Sequence, residues 1–340
     1  MTGKEYAIPQ GSRILVTGAN GYIGSNIVDL LLELGYIVRG TVRTEKPWLD
    51  RLFENKYGKG KFESVIVEAM EKEGAFDSAI QGVAGVVHVA SDVSLKPDPK
   101  DVIPKAVEGA LNVLKAAAKE PAVKRVVLTS SSSAALIPKP NVEGIVVTEE
   151  TWNDAAVKAA WDESIPAEQK SYTVYAASKT EAERQSWKWI EENKPGFIFN
   201  SVLPNMNYGR ILAPEIRGST MGWTRQLFDG NDSAVKLLPP QWFVDVEDTA
   251  RLHVIALLDP AVKSERLFAF AAPLNWTDVI GILRKLRPYR QFPNPPENEG
   301  RDLTDIKPSK RAEQLIRDFF GRPGWTSLEE SLAKGIEDLH

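Results

Sequence analysis

Short apolar runs alternate with segments of helical periodicity along the first 130 residues of the chain. Each run has four to six residues rich in Val, Ile and Leu, which is too short for a helix and typical of a buried strand. Apolar side chains recur at helical spacing from Tyr22 to Leu34, and Gly35 ends that segment. The pattern predicts strands at Arg13–Thr17, Ile37–Val42, Phe62–Val67, Gly85–Val89 and Arg125–Thr129. Such alternation predicts an α/β fold with parallel strands and right-handed crossovers.

The same alternation continues to about residue 203 and then weakens. A helix at about Val102–Ala118 precedes the fifth strand, and a long helix at about Val174–Glu192 leads to a strand at Phe197–Leu203. Beyond Pro204, two segments rich in Pro, Gly and Asn, residues 204–240 and 286–310, are predicted to be loops of a smaller lobe. Helices are predicted near Val246–Leu258 and Trp276–Leu286.

These segments predict a chain of two parts. Residues 1–203 form the parallel-sheet domain, and residues 204–340 form mainly a smaller lobe. Residues of about 241–272 are expected to return to the first domain. The length of 340 residues suits one large domain with an added lobe.

Composition and charge exclude several classes of protein. The chain has 42 Lys and Arg against 46 Asp and Glu, for a net charge of −4, so no nucleic-acid partner is expected. It has no cysteine and three scattered histidines, so neither disulfides nor a metal site is expected. The first ten residues lack an apolar core, and no apolar run reaches the roughly 18 residues of a membrane span, so we expect a cytoplasmic protein without membrane contact.

A glycine-rich loop lies directly between the first predicted strand and the first helix. It reads T-G-x-x-G-x-x-G from Thr17 to Gly24. An isolated glycine turn would mean little, but this spacing at a strand–helix junction is typical of a Rossmann-type dinucleotide site. The helix N-terminus there offers free N–H groups to a pyrophosphate. The predicted cofactor contacts of this loop are Gly18, Asn20, Gly21, Tyr22, Ile23 and Gly24.

The end of the second strand distinguishes NAD from NADP. NAD enzymes usually place a carboxylate there to hold the ribose hydroxyls. This chain has no carboxylate before Glu45, and Arg43 stands where the strand ends. A guanidinium suits a 2′-phosphate, so the pattern predicts NADP(H). Arg39, four residues earlier, either assists or is a solvated strand charge.

Candidate catalytic side chains follow on the fifth strand and the long helix. Tyr175 and Lys179 form Y-x-x-x-K, a spacing that places both on one helix face. A nearby ammonium lowers the pKa of a phenol and makes it a usable proton donor. By itself this pattern also fits a surface pair. Serines fill residues 130–133 at the carboxyl end of the fifth strand, where ligands bind in such sheets, and one of them is expected to orient a carbonyl oxygen.

With these motifs located, the chain resembles the extended short-chain dehydrogenase/reductase family. Within it, the chain is similar to the dihydroflavonol-reductase-like group, and most similar to the yeast-type NADPH-dependent aldehyde (carbonyl) reductases. The likeness runs nearly end to end. It is carried by VRGTVR (38–43), VKRVVLTSS (123–131), ALIPKPNVEGI (135–145), VYAASKTEAE (174–183) and GRPGW (321–325).

This resemblance implies roles for individual residues. It implies Ser131, Tyr175 and Lys179 as the catalytic group, with Lys179 also holding the nicotinamide ribose. The implied role of Asn112 is in shaping its helix and a proton relay, and we interpret His88 as structural. Further cofactor contacts implied are Ala90, Ser91, Tyr175, Pro204 and Asn205.

Two departures from the family pattern stand out. Ala69, preceded by Glu68, occupies the position where the family usually has an aspartate for the adenine amino group. Tyr175 follows Ser131 by 44 residues, a long spacing for the wider family. The additional stretch, residues 146–172, is either a lid or pocket wall or an ordinary surface insertion.

The resulting hypothesis is an NADPH-dependent oxidoreductase that reduces a small-molecule carbonyl to an alcohol, with Tyr175 as proton donor. Two alternatives are a nucleotide-sugar epimerase or dehydratase on the same fold and a non-catalytic NADP-sensing regulator. Either a monomer or a homodimer fits the sequence. Candidate substrate-pocket residues, which equally suit a lobe core, are Val93, Trp223, Gln241 and Trp242.

Overall fold

The computed structural model describes residues 5–339, in which strands and helices alternate along the first half of the chain. The predicted strand bounds recur within one residue. The elements in chain order are β1 (Arg13–Thr17), α1 (Tyr22–Glu33), β2 (Ile37–Val42), α2 (Pro47–Tyr57), β3 (Phe62–Ile66), β4 (Gly85–His88), α3 (Pro99–Lys119) and β5 (Arg125–Thr129).

The second half begins with the residues that follow the serine run. Its elements are β6 (Val146–Val147), α4 (Asp154–Ala160), α5 (Ser171–Asn193), β7 (Ile198–Pro204), β8 (Met206–Tyr208), α6 (Ser219–Arg225), α7 (Ser233–Leu237), β9 (Gln241–Asp245), α8 (Val246–Leu258), β10 (Arg266–Ala269), β11 (Ala272–Leu274), α9 (Trp276–Leu286), β12 (Asp305–Ile306), α10 (Ser309–Phe320) and α11 (Leu328–Gly335).

Seven of these strands form one parallel sheet in the order β10-β7-β5-β4-β1-β2-β3. The strand order reverses between β1 and β4, which pair in register from Ile14 opposite Gly85 to Thr17 opposite His88. Ligands of open α/β sheets bind at such a reversal, outside the carboxyl ends of the strands. The predicted Rossmann-type, doubly wound sheet is therefore confirmed, and its crevice lies where the glycine loop begins.

Helices cover both faces of this sheet. On one face α1 and α8 pack together through apolar side chains that include Ile27, Leu31 and Leu252. On the other face α3 and α5 form the most extensive helix pair, and a second core joins α3 to β4 and β5. Tyr175 and Lys179 lie on α5, so this packing presents them to the end of β5.

The smaller lobe has its own sheet and core. β9 pairs with β8 in parallel and with β11 in the antiparallel sense. Its core includes Met221, Leu227, Trp276 and Leu283. Of residues 241–272, α8 packs on the main sheet and β10 is its edge strand, whereas β9 belongs to the three-stranded sheet. The expectation that this whole stretch returns to the first domain was therefore wrong for β9.

The expectation of loops over residues 204–240 was also wrong, since β8, α6 and α7 lie there. These elements have three to seven residues, too few to show a period in the sequence. Helix α2 was missed because only Leu49 and Phe53 are buried on it, so its apolar stripe has two members. Helices α8 and α9 begin and end at the residues that the sequence predicted.

Candidate active site

The glycine loop folds so tightly that two of its positions exclude a side chain. Gly18 has φ +65°, and a Cβ there would lie 3.1 Å from the Ala90 Cα. A Cβ on Gly24 would lie 2.2 Å from the Gly18 carbonyl oxygen. The turn is closed by the Gly21 amide, which donates to that same oxygen at 3.0 Å. Such a cradle leaves its space to a bound group, as a pyrophosphate requires.

Helix α1 begins at Tyr22 directly behind this loop, and no side chain in the described part of the chain caps its first turn. The N–H groups of Tyr22 and Ile23 thus have no helical acceptor and point toward the loop. The Tyr22 hydroxyl instead donates to the Gly209 carbonyl at 2.8 Å, which ties α1 to the smaller lobe. Asn20 is half-buried within the loop.

The ends of β1 and β4 are joined by a buried hydroxyl. Thr17 Oγ1 accepts from the Val89 and Ala90 amides at 3.0 Å and lies 2.8 Å from His88 Nδ1. With both lone pairs engaged, the hydroxyl donates its proton to Nδ1. Burial lowers the pKa of His88 to about 3, so the ring stays neutral. His88 therefore lies in a structural hydrogen bond, and the Thr17 hydroxyl that it orients holds the Ala90 amide beside Gly18.

At the end of β2 the two arginines have different surroundings. Arg39 donates to Glu63 Oε1 at 2.7 Å and to the Ala79 carbonyl at 2.9 Å, so it links β2 to its neighbours. Arg43 is exposed on the turn after β2. Lys46, which sequence reasoning missed, adds a second cation to this turn and donates to Thr44 Oγ1. Of the two arginines, Arg39 is engaged within the protein and Arg43 is the exposed one.

Asn112 anchors the loop after β3. Its side-chain amide donates to the Met70 carbonyl at 3.1 Å and the Lys72 carbonyl at 2.9 Å. This loop carries Ala69 at the position expected to face an adenine ring. The structure therefore gives Asn112 a role in fixing that loop, and the proton-relay role implied by the resemblance is not what its contacts show.

Ser131 and Tyr175 meet through their hydroxyl groups. Ser131 begins a short 3₁₀ turn at residues 132–134 and accepts from both the amide and the hydroxyl of Ser133, the latter at 2.9 Å. Ser133, missed as a site residue, thus orients Ser131. The neighbouring Ser130 points away and donates to Glu183. Since successive strand residues alternate faces, one serine of this pair faces the site.

The tuning of Tyr175 differs from the expectation. Burial raises the pKa of Tyr175, and the Ser131 hydrogen bond partly opposes this rise. Lys179 Nζ donates to the Thr129 carbonyl at 2.8 Å and to Ser91 Oγ at 3.4 Å rather than to the phenol. Burial lowers the pKa of Lys179 to about 8, while the charge of Glu183 raises it. The net shift of the Tyr175 pKa is therefore upward in this structure, and the influence of Lys179 on the phenol stays a prediction.

The remaining predicted residues lie in different surroundings. Pro204 ends β7, and Asn205 accepts from the Met206 amide at the carboxyl end of the sheet. Val93 is 69% exposed on the loop after β4. In the smaller lobe Trp223 packs against the core, whereas Gln241 is buried and donates to the Pro239 carbonyl. Trp242 stacks edge-on against Phe270, near the turn that follows Ser131.

The start of the additional stretch is fixed to the serine run. Asn153 donates from its side chain to the Ser133 carbonyl at 2.8 Å and from its amide to the Ala134 carbonyl at 2.9 Å. The same side chain caps α4, which packs on α5. The start of this stretch is therefore fixed beside the turn that follows Ser131.

Within residues 5–339, no helix is long and apolar enough to cross a bilayer. The same residues contain no group of three His, Asp or Glu side chains placed to hold a metal ion.

A phosphate-binding loop beside a Ser-Tyr-Lys group defines a dinucleotide-dependent oxidoreductase of the short-chain type. The NAD dependent epimerase/dehydratase family model matches residues 14–268, and the chain belongs to this family. The predicted membership of the extended short-chain family is thereby confirmed.

Several known proteins are similar to the chain over nearly its whole length. "Ketoreductase adrE" of Penicillium roqueforti is 48% identical over 337 residues, which cover 98% of both chains. "Aldehyde reductase 2" of Sporidiobolus salmonicolor is 46% identical over 96% of this chain and 95% of its own. The crystal structure of yeast methylglyoxal/isovaleraldehyde reductase Gre2 complexed with NADPH superposes with a TM-score of 0.80 at 25% identity, covering 96% of this chain and 98% of that one.

Proposed function

We infer that the protein reduces aldehydes or ketones to alcohols with NADPH. The observation that carries this function is the pair of hydroxyls of Ser131 and Tyr175, held together at the sheet edge that bears the glycine loop. The similarity to a ketoreductase, an aldehyde reductase and an NADPH-bound reductase supports both the reaction and the cofactor. The protein is thus an NADPH-dependent carbonyl reductase.

The pyrophosphate, the 2′-phosphate and the nicotinamide half of the dinucleotide each have a fitting group in the chain. Gly18 and Gly24 leave the space that a pyrophosphate fills, and the free N–H groups of α1 face it. Arg43 would hold the 2′-phosphate, Lys179 the nicotinamide ribose, and Asn205 the nicotinamide end. Further contacts proposed are those of Asn20, Gly21, Tyr22, Ile23, Ala90, Ser91 and Pro204.

The chemistry follows from the protonation states of the site. NADPH supplies the hydride that the carbonyl carbon accepts. Ser131 donates a hydrogen bond to the carbonyl oxygen and orients it. Tyr175 transfers its proton to this oxygen as the C–H bond forms, which leaves a phenolate beside Lys179. Because burial raises the pKa of Tyr175, the resting phenol carries the proton that reduction consumes.

The small-molecule substrate enters from the side of the smaller lobe. We place the apolar side chains of Val93, Trp223 and Trp242 on its wall, with Gln241 as a polar neighbour. Apolar walls with few polar groups suit small organic ligands. A cytoplasmic location and a monomeric or homodimeric state complete the proposal, and cell fractionation and light scattering test them.

The first test separates a reductase from an epimerase, which would retain its cofactor and return the hydride. We expect each alcohol formed to consume one NADPH, measured at 340 nm against product by chromatography on aldehydes, α-dicarbonyls, β-ketoesters and aryl ketones. The presence of Ser131, Tyr175 and Lys179 favours turnover over a sensing role. Cofactor binding without consumption on every carbonyl would instead support the regulator.

Arg43 is expected to set the preference for NADPH over NADH. A charge-assisted contact to the 2′-phosphate is worth roughly 1.5–3 kcal/mol, which corresponds to a preference of about 10- to 100-fold. Arg43→Ala should therefore raise the Kd for NADPH by that factor and leave the Kd for NADH nearly unchanged, as measured by fluorescence titration. Added salt should weaken NADPH binding more than NADH binding.

Arg39→Ala serves as the matched control. This arginine is engaged by Glu63 and by the carbonyls of Ala79 and Gln81, so its loss should lower stability and leave the ratio of the two Kd values unchanged. Equal affinity of the wild type for both cofactors, or an equal change of the ratio in the two variants, would contradict the assignment of Arg43.

A further inference from the structure

A wholly buried carboxylate lies one helical turn beyond Lys179. Glu183 follows Tyr175 and Lys179 on α5 at intervals of four residues, so all three lie along one side of the helix. Its side chain is 0% exposed. A carboxylate buried this deeply stays charged only if ion-pair and hydrogen-bond partners compensate for its lost hydration. Glu183 belongs neither to the glycine loop nor to the Ser-Tyr-Lys group.

The partners of Glu183 come mainly from the segment just after β5 and from β7 and β10, and Trp187 Nε1 on α5 itself adds a longer bond of 3.4 Å. Ser130 Oγ, directly after β5, donates to Oε2 at 2.7 Å, and Ser201 Oγ on β7 donates to Oε1 at 2.6 Å. Arg266 on β10 donates to both oxygens, at 2.8 and 3.2 Å, with its own side chain 8% exposed. The carboxylate thereby links α5, which carries Tyr175, to the segment directly after β5, which carries Ser131.

Ser130 lies between the two residues at the end of β5 that contact Lys179 and Tyr175. The preceding Thr129 offers its carbonyl to Lys179 Nζ at 2.8 Å, and the following Ser131 offers its hydroxyl to Tyr175. Fixing Ser130 to Glu183 therefore fixes both neighbours relative to α5. Through Ser201 the same carboxylate also binds β7, a strand that carries no residue of the Ser-Tyr-Lys group.

Arg266 extends the link to the additional stretch. It donates to the Thr151 carbonyl at 2.9 Å and also to the Glu149 carbonyl. Its guanidinium lies 3.8 Å from the centre of the Trp152 ring. Asn153 follows directly and binds the serine turn at the Ser133 carbonyl, so the wall beside Ser131 depends on the same ion pair.

We propose that Glu183 is a positioning residue for carbonyl reduction, which holds the end of β5 against α5 so that Ser131 meets Tyr175 and Lys179 stays at the Thr129 carbonyl. Glu183 acts through these residues and does not touch the substrate. The inference rests on the catalytic roles proposed above for Ser131, Tyr175 and Lys179.

The charge of Glu183 has a second effect on the site. Burial lowers the pKa of Lys179, and Glu183 opposes that change. Two histidines face Lys179 from other elements, His88 on β4 and His253 on α8, and burial lowers their pKa values to about 3 and about 4. Both rings are therefore neutral at working pH, and Glu183 provides the anion that keeps Lys179 protonated.

The test compares two serine variants that remove the same kind of hydrogen bond from the same carboxylate. Ser130→Ala should lower kcat by about 10-fold, the value of one hydrogen bond to a charged group, with the Kd for NADPH nearly unchanged. Ser201→Ala should keep kcat at the wild-type level, since both serines are buried but Ser201 has no neighbour in the catalytic group. Equal losses in both variants would mean that the carboxylate acts only as structural support, and would overturn the proposal.

Glu183→Gln adds a second measurement, the pH dependence of kcat/KM, which a purely structural role of Glu183 would leave unchanged. This variant should lower kcat by about 10- to 100-fold through misplacement of the reacting groups. It should also shift the alkaline fall of kcat/KM toward lower pH, because Lys179 loses its anion. Wild-type kcat with an unmoved pH profile in a folded variant would overturn the proposal. If the variant does not fold, the two serine variants decide.

Ser131→Ala and Tyr175→Phe distinguish this inference from the proposed function. Inactive Ser131→Ala and Tyr175→Phe enzymes together with an unaffected Ser130→Ala enzyme would reject Glu183 alone. Active Ser131→Ala and Tyr175→Phe enzymes would reject the catalytic assignment itself, and the inference with it.

Discussion

Replacing Tyr175 by phenylalanine is expected to lower kcat by about 10²- to 10⁴-fold, the usual contribution of a positioned general acid. The substitution removes the phenolic proton and the hydrogen bond with Ser131, while the ring keeps its place on α5. Because the substitution leaves the ring and the glycine loop in place, the Kd for NADPH should be nearly unchanged. Stopped-flow measurement of NADPH oxidation and a separate titration of NADPH binding check both expectations.

Tyr172→Phe provides the matched control for this experiment. Tyr172 lies one turn earlier on the same helix, with its ring centre 6.1 Å from that of Tyr175. The control removes the same hydroxyl from a neighbouring ring that is open to solvent. Its kcat should stay near the wild-type value. A Tyr175→Phe enzyme that is as active as this control would remove Tyr175 from the mechanism.

The parts of the site that sequence could predict are those with local steric causes. Gly18 and Gly24 are required by contacts within the loop itself, at Ala90 and at the Gly18 carbonyl, so their spacing is readable without the fold. The position of Arg43 followed from the end of β2, where the absence of a carboxylate is also a local feature. The alternation of strands and helices likewise predicted the order of these elements along the chain and their parallel pairing.

The features of the site that the sequence did not predict are hydrogen bonds and ion pairs between residues that come together only in the folded protein. The spacing of Tyr175 and Lys179 correctly placed both on one helix face, but not the choice of Lys179 Nζ for the Thr129 carbonyl. Glu183 is one of several glutamates on α5, and its partner Arg266 lies 83 residues away. Only the regular interval of four residues from Tyr175 through Lys179 to Glu183 indicated a shared side of the helix.

This arrangement makes Lys179, not Tyr175, the group that limits reduction at alkaline pH. Burial raises the pKa of Tyr175, so the phenol retains its proton well above neutral pH. Burial lowers the pKa of Lys179 to about 8. Lys179 is therefore charged below about pH 8 and neutral above it. The ammonium stabilises the phenolate that proton transfer leaves behind, so its loss removes an electrostatic contribution to the transition state.

We therefore expect kcat/KM for NADPH, which reports the free enzyme, to be constant on the acid side and to fall about ten-fold per pH unit above pH 8. Lys179→Met should lower kcat/KM by about 100-fold or more below pH 8, as for the loss of a preorganised donor, and should show no fall above pH 8, so the two enzymes should approach each other at high pH. Lys179→Arg should retain part of the activity and also lose the fall, because a guanidinium does not deprotonate in this range. A fall at the wild-type midpoint in the Lys179→Arg enzyme would assign the titration to another group, and Tyr175 would then be the first to test.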